Sequence, residues 1–304
     1  MHEILIKALS LFMLVVLGAG LRRAGVLHER DFHTVSALVL NVTLPCVILV
    51  NLNGFLFEAR MLQIILIGFV CAGLLTLGGY LSGRKKGREH AAFCLLNYTG
   101  YNVGCFALPF VQSFLGPAAV LTACLFDIGN ALFATGGSYA IACVVKGEGG
   151  GQLVRAFLKK LLTSVPILSY ILMLTLSLLR LRLPDVVLDL AGLAASANTF
   201  LAMLLLGLGL KLNFTRENLG FILKSSLFRY IAAAVFCLLV RYALPLDEAA
   251  RQVLILLLLA PVSLSSIAYT GKIGGDIALS GAWISSTILV SFVLMSAALG
   301  LGVI

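Results

Sequence analysis

Charge is scarce in this sequence. Asp, Glu, Lys and Arg make up 12% of its 304 residues, against about 25% in a soluble domain. The four histidines, His2, His28, His33 and His90, fall at helix ends or in links, so they form no imidazole cluster for a metal. The seven cysteines (46, 71, 94, 105, 124, 143 and 237) show no C-x-x-C spacing and all lie in apolar runs. They are read as small hydrophobic fillers rather than disulfides or metal ligands. H-E-x-x-H, G-x-S-x-G, a Cys/His pair and paired intramembrane carboxylates are all missing, since Asp185 and Asp189 lie at the outer end of their run. That excludes the common metal-dependent and nucleophilic enzymes. Neither an enzyme nor a cofactor is expected. The polar segments are too short for a signalling domain, which argues against a receptor.

What the chain has instead is hydrocarbon: 61% of its residues are hydrophobic and its mean hydropathy is +1.07. A globule of this size cannot hide that much apolar surface, so the expected class is an all-α polytopic membrane protein in a lipid bilayer. A spanning helix needs about 20 mainly apolar residues. Ten such runs lie near 3–21, 33–53, 61–82, 90–115, 118–145, 158–179, 185–211, 220–243, 251–273 and 277–303. The first lacks a basic leader and an A-x-A-like exit and runs into Arg22 and Arg23, so it is read as a retained helix rather than a signal peptide.

Lys and Arg crowd the links after odd-numbered runs: Arg22, Arg23 and Arg30, then Arg84 to Arg88, then Lys146 to Lys160, then Lys211 to Lys224, then Lys272. The other face holds only Lys7, Arg60, Arg180, Arg182, Arg241 and Arg251. The richer face is assigned to the cytoplasm, with both termini outside. This asymmetry accounts for the net charge of +9, and no nucleic-acid partner is inferred. Lys224 and Arg229 are expected to snorkel to the cytoplasmic surface, with attraction of an anionic substrate as the alternative.

The glycine-bearing link Lys146–Gln152 divides the runs five and five, which predicts two inverted repeats, 1–145 and 158–304, around a 146–157 linker. Asn41-Val-Thr-Leu resembles Asn198-Thr-Phe-Leu at an offset of 157. The fourth and ninth runs are interrupted near 101 and 261, an offset of 160. The fourth carries Asn97, Gly100, Tyr101, Asn102, Gly104 and Pro109 in mid-span; the ninth breaks from pure hydrocarbon into Pro261-Val-Ser263-Leu-Ser265-Ser266. In lipid, freed backbone groups are tolerated only against protein or a wet cavity. Broken helices at matching positions therefore point to a transport site, although ordinary kinks among small packing residues are the plainer account. Asp127-Ile-Gly-Asn130 puts an acid near the middle of the fifth run, where a charge is costly and by default functional. It can release a proton, pair with a cation or simply hold the break. Asn41 in the second run either faces the site or kinks its helix.

These residues resemble the auxin efflux carrier family, in particular its bacterial malonate and malate permease-like members. The likeness rests on Asn41 with Pro45, on Asn102-x-Gly104-x-x-x-Leu108-Pro109, on Asp127-x-Gly129-Asn130, on Leu206-Gly207-x-Gly209, and on Ala260-Pro261 with Gly274-Gly275-Asp276. It implies helices 4 and 9 that unwind and cross at the midplane. It also implies a mobile transport domain (helices 3–5 and 8–10) on a scaffold (helices 1, 2, 6 and 7), in a homodimer. A carboxylate-bearing ligand, a small organic anion, is implied beside the crossover. The substrate residues assigned on this basis are Asn41, Asn97, Tyr101, Asn102, Asn130, Pro261, Ser263, Ser265 and Ser266, with Asp127 as coupling or structural acid. The coupling ion, proton or sodium, is left open. Tyr101 stands where plant relatives carry a proline, so the first break is expected to rely on Gly100 and Gly104.

Overall fold

The computed structural model describes residues 2–148, 151–211 and 214–302, and among them there is no β-strand. The chain runs α1 His2–Arg23, α2 Glu29–Leu38, α3 Leu44–Leu52, α4 Met61–Gly83, α5 Arg88–Tyr98, α6 Leu108–Phe114, α7 Pro117–Leu132 and α8 Ser138–Lys146. The second half runs α9 Gly151–Thr163, α10 Val165–Leu178, α11 Asp185–Ser196, α12 Asn198–Gly209, α13 Arg216–Tyr242, α14 Glu248–Leu258, α15 Ser265–Lys272 and α16 Ile277–Gly300. Short π-helical turns at Val39–Thr43, Val103–Ala107 and Phe133–Gly137 join α2 to α3, lead into α6, and join α7 to α8.

Seven stretches among the described residues are helical, apolar and long enough to cross a membrane: 3–23, 29–52, 61–86, 117–146, 185–209, 216–242 and 277–300. They coincide with seven of the ten expected runs. The other three depart from a straight helix. The sixth is bent by 68° at Ser164, so α9 and α10 are separate rods. Pro166 in the first turn of α10 has no N–H to give to a preceding turn, which favours a fresh start there. The fourth and ninth become the pairs α5/α6 and α14/α15, each interrupted by non-helical backbone.

Helix ends are marked by polar caps. Asp276 accepts the Leu279 N–H at 2.8 Å to open α16, as a carboxylate at a helix start should. Asp247 does the same for α14 through Ala250 at 2.7 Å. Two pairs of glycines let helices touch backbone to backbone. A Cβ on Gly68 or Gly129 would collide with carbonyl oxygens of Phe126 and Ile65 where α4 meets α7. Gly18 and Gly207 stand in the same relation where α1 meets α12. Such contacts suit lipid, where helix association depends on close packing rather than on expelling water. Phe106, Phe110, Phe126 and Trp283 are fully buried in the main core cluster.

Candidate functional site

The first interruption follows from its residues. α5 ends at Tyr98, Thr99 turns extended, and Gly100 takes φ +67°, a left-handed conformation that glycine reaches without strain. Gly104 serves packing instead. A Cβ there would meet the Leu44 side chain at 2.6 Å, so this glycine admits α3 rather than breaking the helix. The second interruption spans 259–264, with Pro261 at its centre.

The interruptions meet. The Asn102 N–H donates to the Pro261 carbonyl at 2.9 Å. Asn130 takes hold of Tyr101 through both its N–H and its C=O, each at 2.9 Å, and also donates to Asp127 Oδ1 at 2.9 Å. Tyr170, from α10, donates to Asp127 Oδ2 at 3.0 Å. Thr287 Oγ1 accepts the Val262 N–H at 3.3 Å, and Thr99 is hydrogen-bonded to Thr76.

Arg229 corrects the expectation of a snorkelling side chain. It sits at the midpoint of the 27-residue α13, too deep to reach either surface, and is only 3% exposed. Its guanidinium donates to the carbonyls of Tyr98 (3.4 Å), Gly100 (3.1 Å) and Ala260 (2.7 Å), collecting oxygens freed by both interruptions. The physical reason lies in the unpaired backbone: broken helices strand acceptors, and a donor-only fork satisfies several of them at once. Lys224, a little over one turn nearer the start of α13, is exposed as expected.

A cavity of about 510 Å³ opens beside the interruptions. Its walls include Asn41, Tyr101, Asn102, Asp127, Asn130, Ser263 and Ser265 from the expected set. All three π-helical turns contribute, through Asn41, Cys105 and Thr135, and π turns of this kind gather at functional sites. Asn102 Nδ2 and the Tyr101 hydroxyl, donors of two wall residues, are buried with no hydrogen-bond partner among the described residues, and the Tyr101 ring packs on Phe126 beside Arg229. Ser263 and Ser265 bond to each other at 2.9 Å, and Ser265 also donates to the Ala134 carbonyl at 2.9 Å.

Three residues of the expected set lie outside the cavity walls. Asn97 is fully buried and its amide is spent: it donates to Phe93 O (2.9 Å) and Thr270 Oγ1 (3.1 Å) and accepts from Ser280 (2.6 Å). It ties α5 to α15 and α16. Pro261 serves through its carbonyl, and Ser266 is buried in the first turn of α15. Sequence reasoning missed Lys160 and Tyr170. Lys160, on α9, lines the cavity, hydrogen-bonds the Tyr269 hydroxyl and covers that ring at 4.1 Å. Among the described residues it is the only Lys or Arg on the wall. As one more lysine in a link, it gives no signal of its own in the sequence; the bend at Ser164 turns it inward.

Among the described residues no group of His, Cys, Asp and Glu could hold a metal. His90 and Cys94 do come within 3.5 Å, one turn apart on α5, a pair that the sequence reading overlooks; neither lines the cavity. The arrangement can bind and orient; it presents no nucleophile with a base.

Residues 3–147 match a family model described as membrane transport protein. A relative from Methanothermobacter thermautotrophicus (strain Delta H), named an uncharacterized transporter, is 29% identical over 153 residues. The match takes in 49% of this chain and 50% of the relative, so the chain spans about half the length of the curated relative it matches.

Proposed function

We propose that this chain, a relative of the auxin efflux carriers through the membrane transport protein region at residues 3–147, is a secondary transporter of small organic anions. The family resemblance drawn from the sequence is borne out by that match. Its substrates are carboxylates such as malonate or malate, or auxin-like acids. In this reading α5/α6 and α14/α15 are each one broken span and α9/α10 is a bent one. That makes ten spans in two inverted halves, 1–145 and 158–304, joined by 146–157, with the two broken helices crossing at the midplane.

One observation carries the proposal: Asn102, whose side-chain Nδ2 is a buried donor with no partner among the described residues, stands on the wall of a cavity beside the two helix interruptions. A buried donor left unpaired is costly, and a carboxylate supplies the missing acceptor. The helical segment that resumes at Val103, next to Asn102, adds first-turn N–H groups and partial positive charge there.

The mechanism is alternating access. Walls from α2, α3 and the π turn between them, α9, α10 and α12 belong to the scaffold (helices 1, 2, 6 and 7); walls from the two interruptions, α7, α15 and the π turns at Val103–Ala107 and Phe133–Gly137 belong to the moving domain (helices 3–5 and 8–10). A site shared between the two opens to one side or the other as they slide. In this reading the exposed wall residues His33, Lys160 and Thr163 lie toward the basic, cytoplasmic side, which corresponds to an inward-facing state. The protein acts as a homodimer in a bacterial inner membrane with both termini outside.

The test is a thermal-shift screen of purified protein against malonate, malate, succinate, lactate and indole-3-acetate. A saturable shift with one acid, lost in Asn102→Ala at unchanged membrane abundance, is the expected result. A shift that survives Asn102→Ala unaltered overturns the site. A second reading, a sodium- or proton-coupled symporter or antiporter on the same fold, draws on Asp127, the one acid among the described cavity walls.

A further inference from the structure

Alternating access as described gives Arg229 no part to play, and the setting of this side chain is unusual. A guanidinium at the middle of α13 makes no ion pair among the described residues. Its partners are instead three main-chain oxygens from two interrupted helices, those of Tyr98, Gly100 and Ala260. On its other face lies the Tyr101 ring, 5.2 Å away, whose residue lines the cavity. Convergent carbonyl oxygens in a dry interior are the kind of ligand set that replaces the hydration shell of a hard monovalent cation. Here that oxygen cage is filled by a side chain.

We propose that Arg229 is a built-in cation, a positioning residue that permanently occupies the oxygen cage between the two interruptions and takes the place of a coupling metal ion. Three considerations support this. First, the two interruptions share one main-chain hydrogen bond, Asn102 N–H to Pro261 O, and beside it the Gly100 and Ala260 carbonyls converge on one nitrogen of the guanidinium, so a positive group ties the two together. Second, a guanidinium is weakly hydrated, always charged and planar, and so reaches acceptors on separate segments better than a lysine ammonium does. Third, Arg229 is covalently part of α13, so its charge travels with the moving domain in both directions and never dissociates. A cation that cannot leave cannot draw on an ion gradient. Sodium therefore has no role in the cage that Arg229 fills, and the positive charge behind Tyr101 is present whichever way the cavity faces.

This rests on the anion-transporter reading for its consequence, but its test does not need a substrate. Melting temperatures of purified wild-type protein, Arg229→Ala and Arg229→Lys are measured in sodium, potassium and choline chloride, and with methylguanidinium at sub-denaturing concentration. Wild type is expected to melt at the same temperature in all the salts. Arg229→Ala is expected to melt lower and to recover with sodium, potassium or methylguanidinium but not with choline. Arg229→Lys is expected to keep most of the wild-type stability and to show no metal-ion response. A sodium-specific rise in wild type overturns the proposal. So does an Arg229→Ala protein whose loss no small cation repairs, because a merely structural side chain behaves that way. Should Arg229→Ala not accumulate, the decision falls to wild type and Arg229→Lys, where any sodium-specific rise again overturns it. An absence of binding by every anion in the separate substrate screen would count against the transport reading and leave these outcomes intact.

Discussion

Asn130 clasps Tyr101 by both sides of its backbone, accepting from the N–H and donating to the carbonyl, each at 2.9 Å. It stands in for the helical hydrogen bonds that Gly100 interrupts. Asn130 is only 1% exposed. In Asn130→Ala two buried main-chain groups lose their partner, at about 1–3 kcal/mol each. We expect a lower melting temperature in detergent and loss of any anion-induced shift. Asn130→Asp keeps the acceptor, loses the donor and places a second carboxylate against Asp127, so it should fare no better. A melting temperature equal to wild type in Asn130→Ala would refute the role assigned to this clasp.

The two interruptions were legible because Pro261, Gly100 and Asn102 are conspicuous in the middle of hydrocarbon, where helix propensity and apolarity are otherwise maximal. Which asparagine faces the cavity was not. Asn97 and Asn102 share a run and differ by five residues, and only the backbone turn at Gly100 sends one into a hydrogen-bonded knot and leaves the other with a free donor. The π-helical turns were invisible for a similar reason: a stretch such as Val39–Thr43 has the composition of any apolar helix, and the extra residue per turn is imposed by tertiary contacts. Arg229 was misjudged because the charge was read by its distance from a link along the sequence. Its helix extends well beyond on both sides, and depth is a property of the whole rod. The bend at Ser164 had a signal in Pro166, which the unbroken apolarity of the run outweighed.

Lys160 is the one fixed cation on the described cavity wall and is exposed, held by the Tyr269 hydroxyl and ring. A charge in that position attracts anions before they are bound rather than anchoring them afterwards. Exposed charge pairs are worth about 0.2–1 kcal/mol, so Lys160→Gln should raise KM for a carboxylate by up to about fivefold. The maximal rate should hardly change. The difference should fade in high salt, since the interaction is screened by mobile ions. Initial uptake rates in proteoliposomes at two ionic strengths measure both effects; a fall in maximal rate with KM unchanged would instead make Lys160 part of the moving machinery.

Asp127 accepts one hydrogen bond on each oxygen, from Asn130 on its own helix and from Tyr170 on α10, and has no cation within ion-pair distance among the described residues. In the proposed mechanism α7 moves and α10 stays, so the Tyr170 bond must break and reform in every cycle, whereas the Asn130 bond need not. An unpaired acid at such a joint is suited to gain a proton in one position and release it in the other. Asp127→Asn preserves an acceptor for Asn130 and removes the titrating group. It is expected to leave abundance and anion binding intact and to abolish acceleration of uptake by a pH gradient. Tyr170→Phe removes the breakable bond and spares the acid, so it should change the rate while keeping the response to the gradient. Uptake followed with and without an imposed pH difference separates the two variants. If Asp127→Asn keeps the full response, the acid is a brace for Asn130 and the proton, if one moves, travels elsewhere.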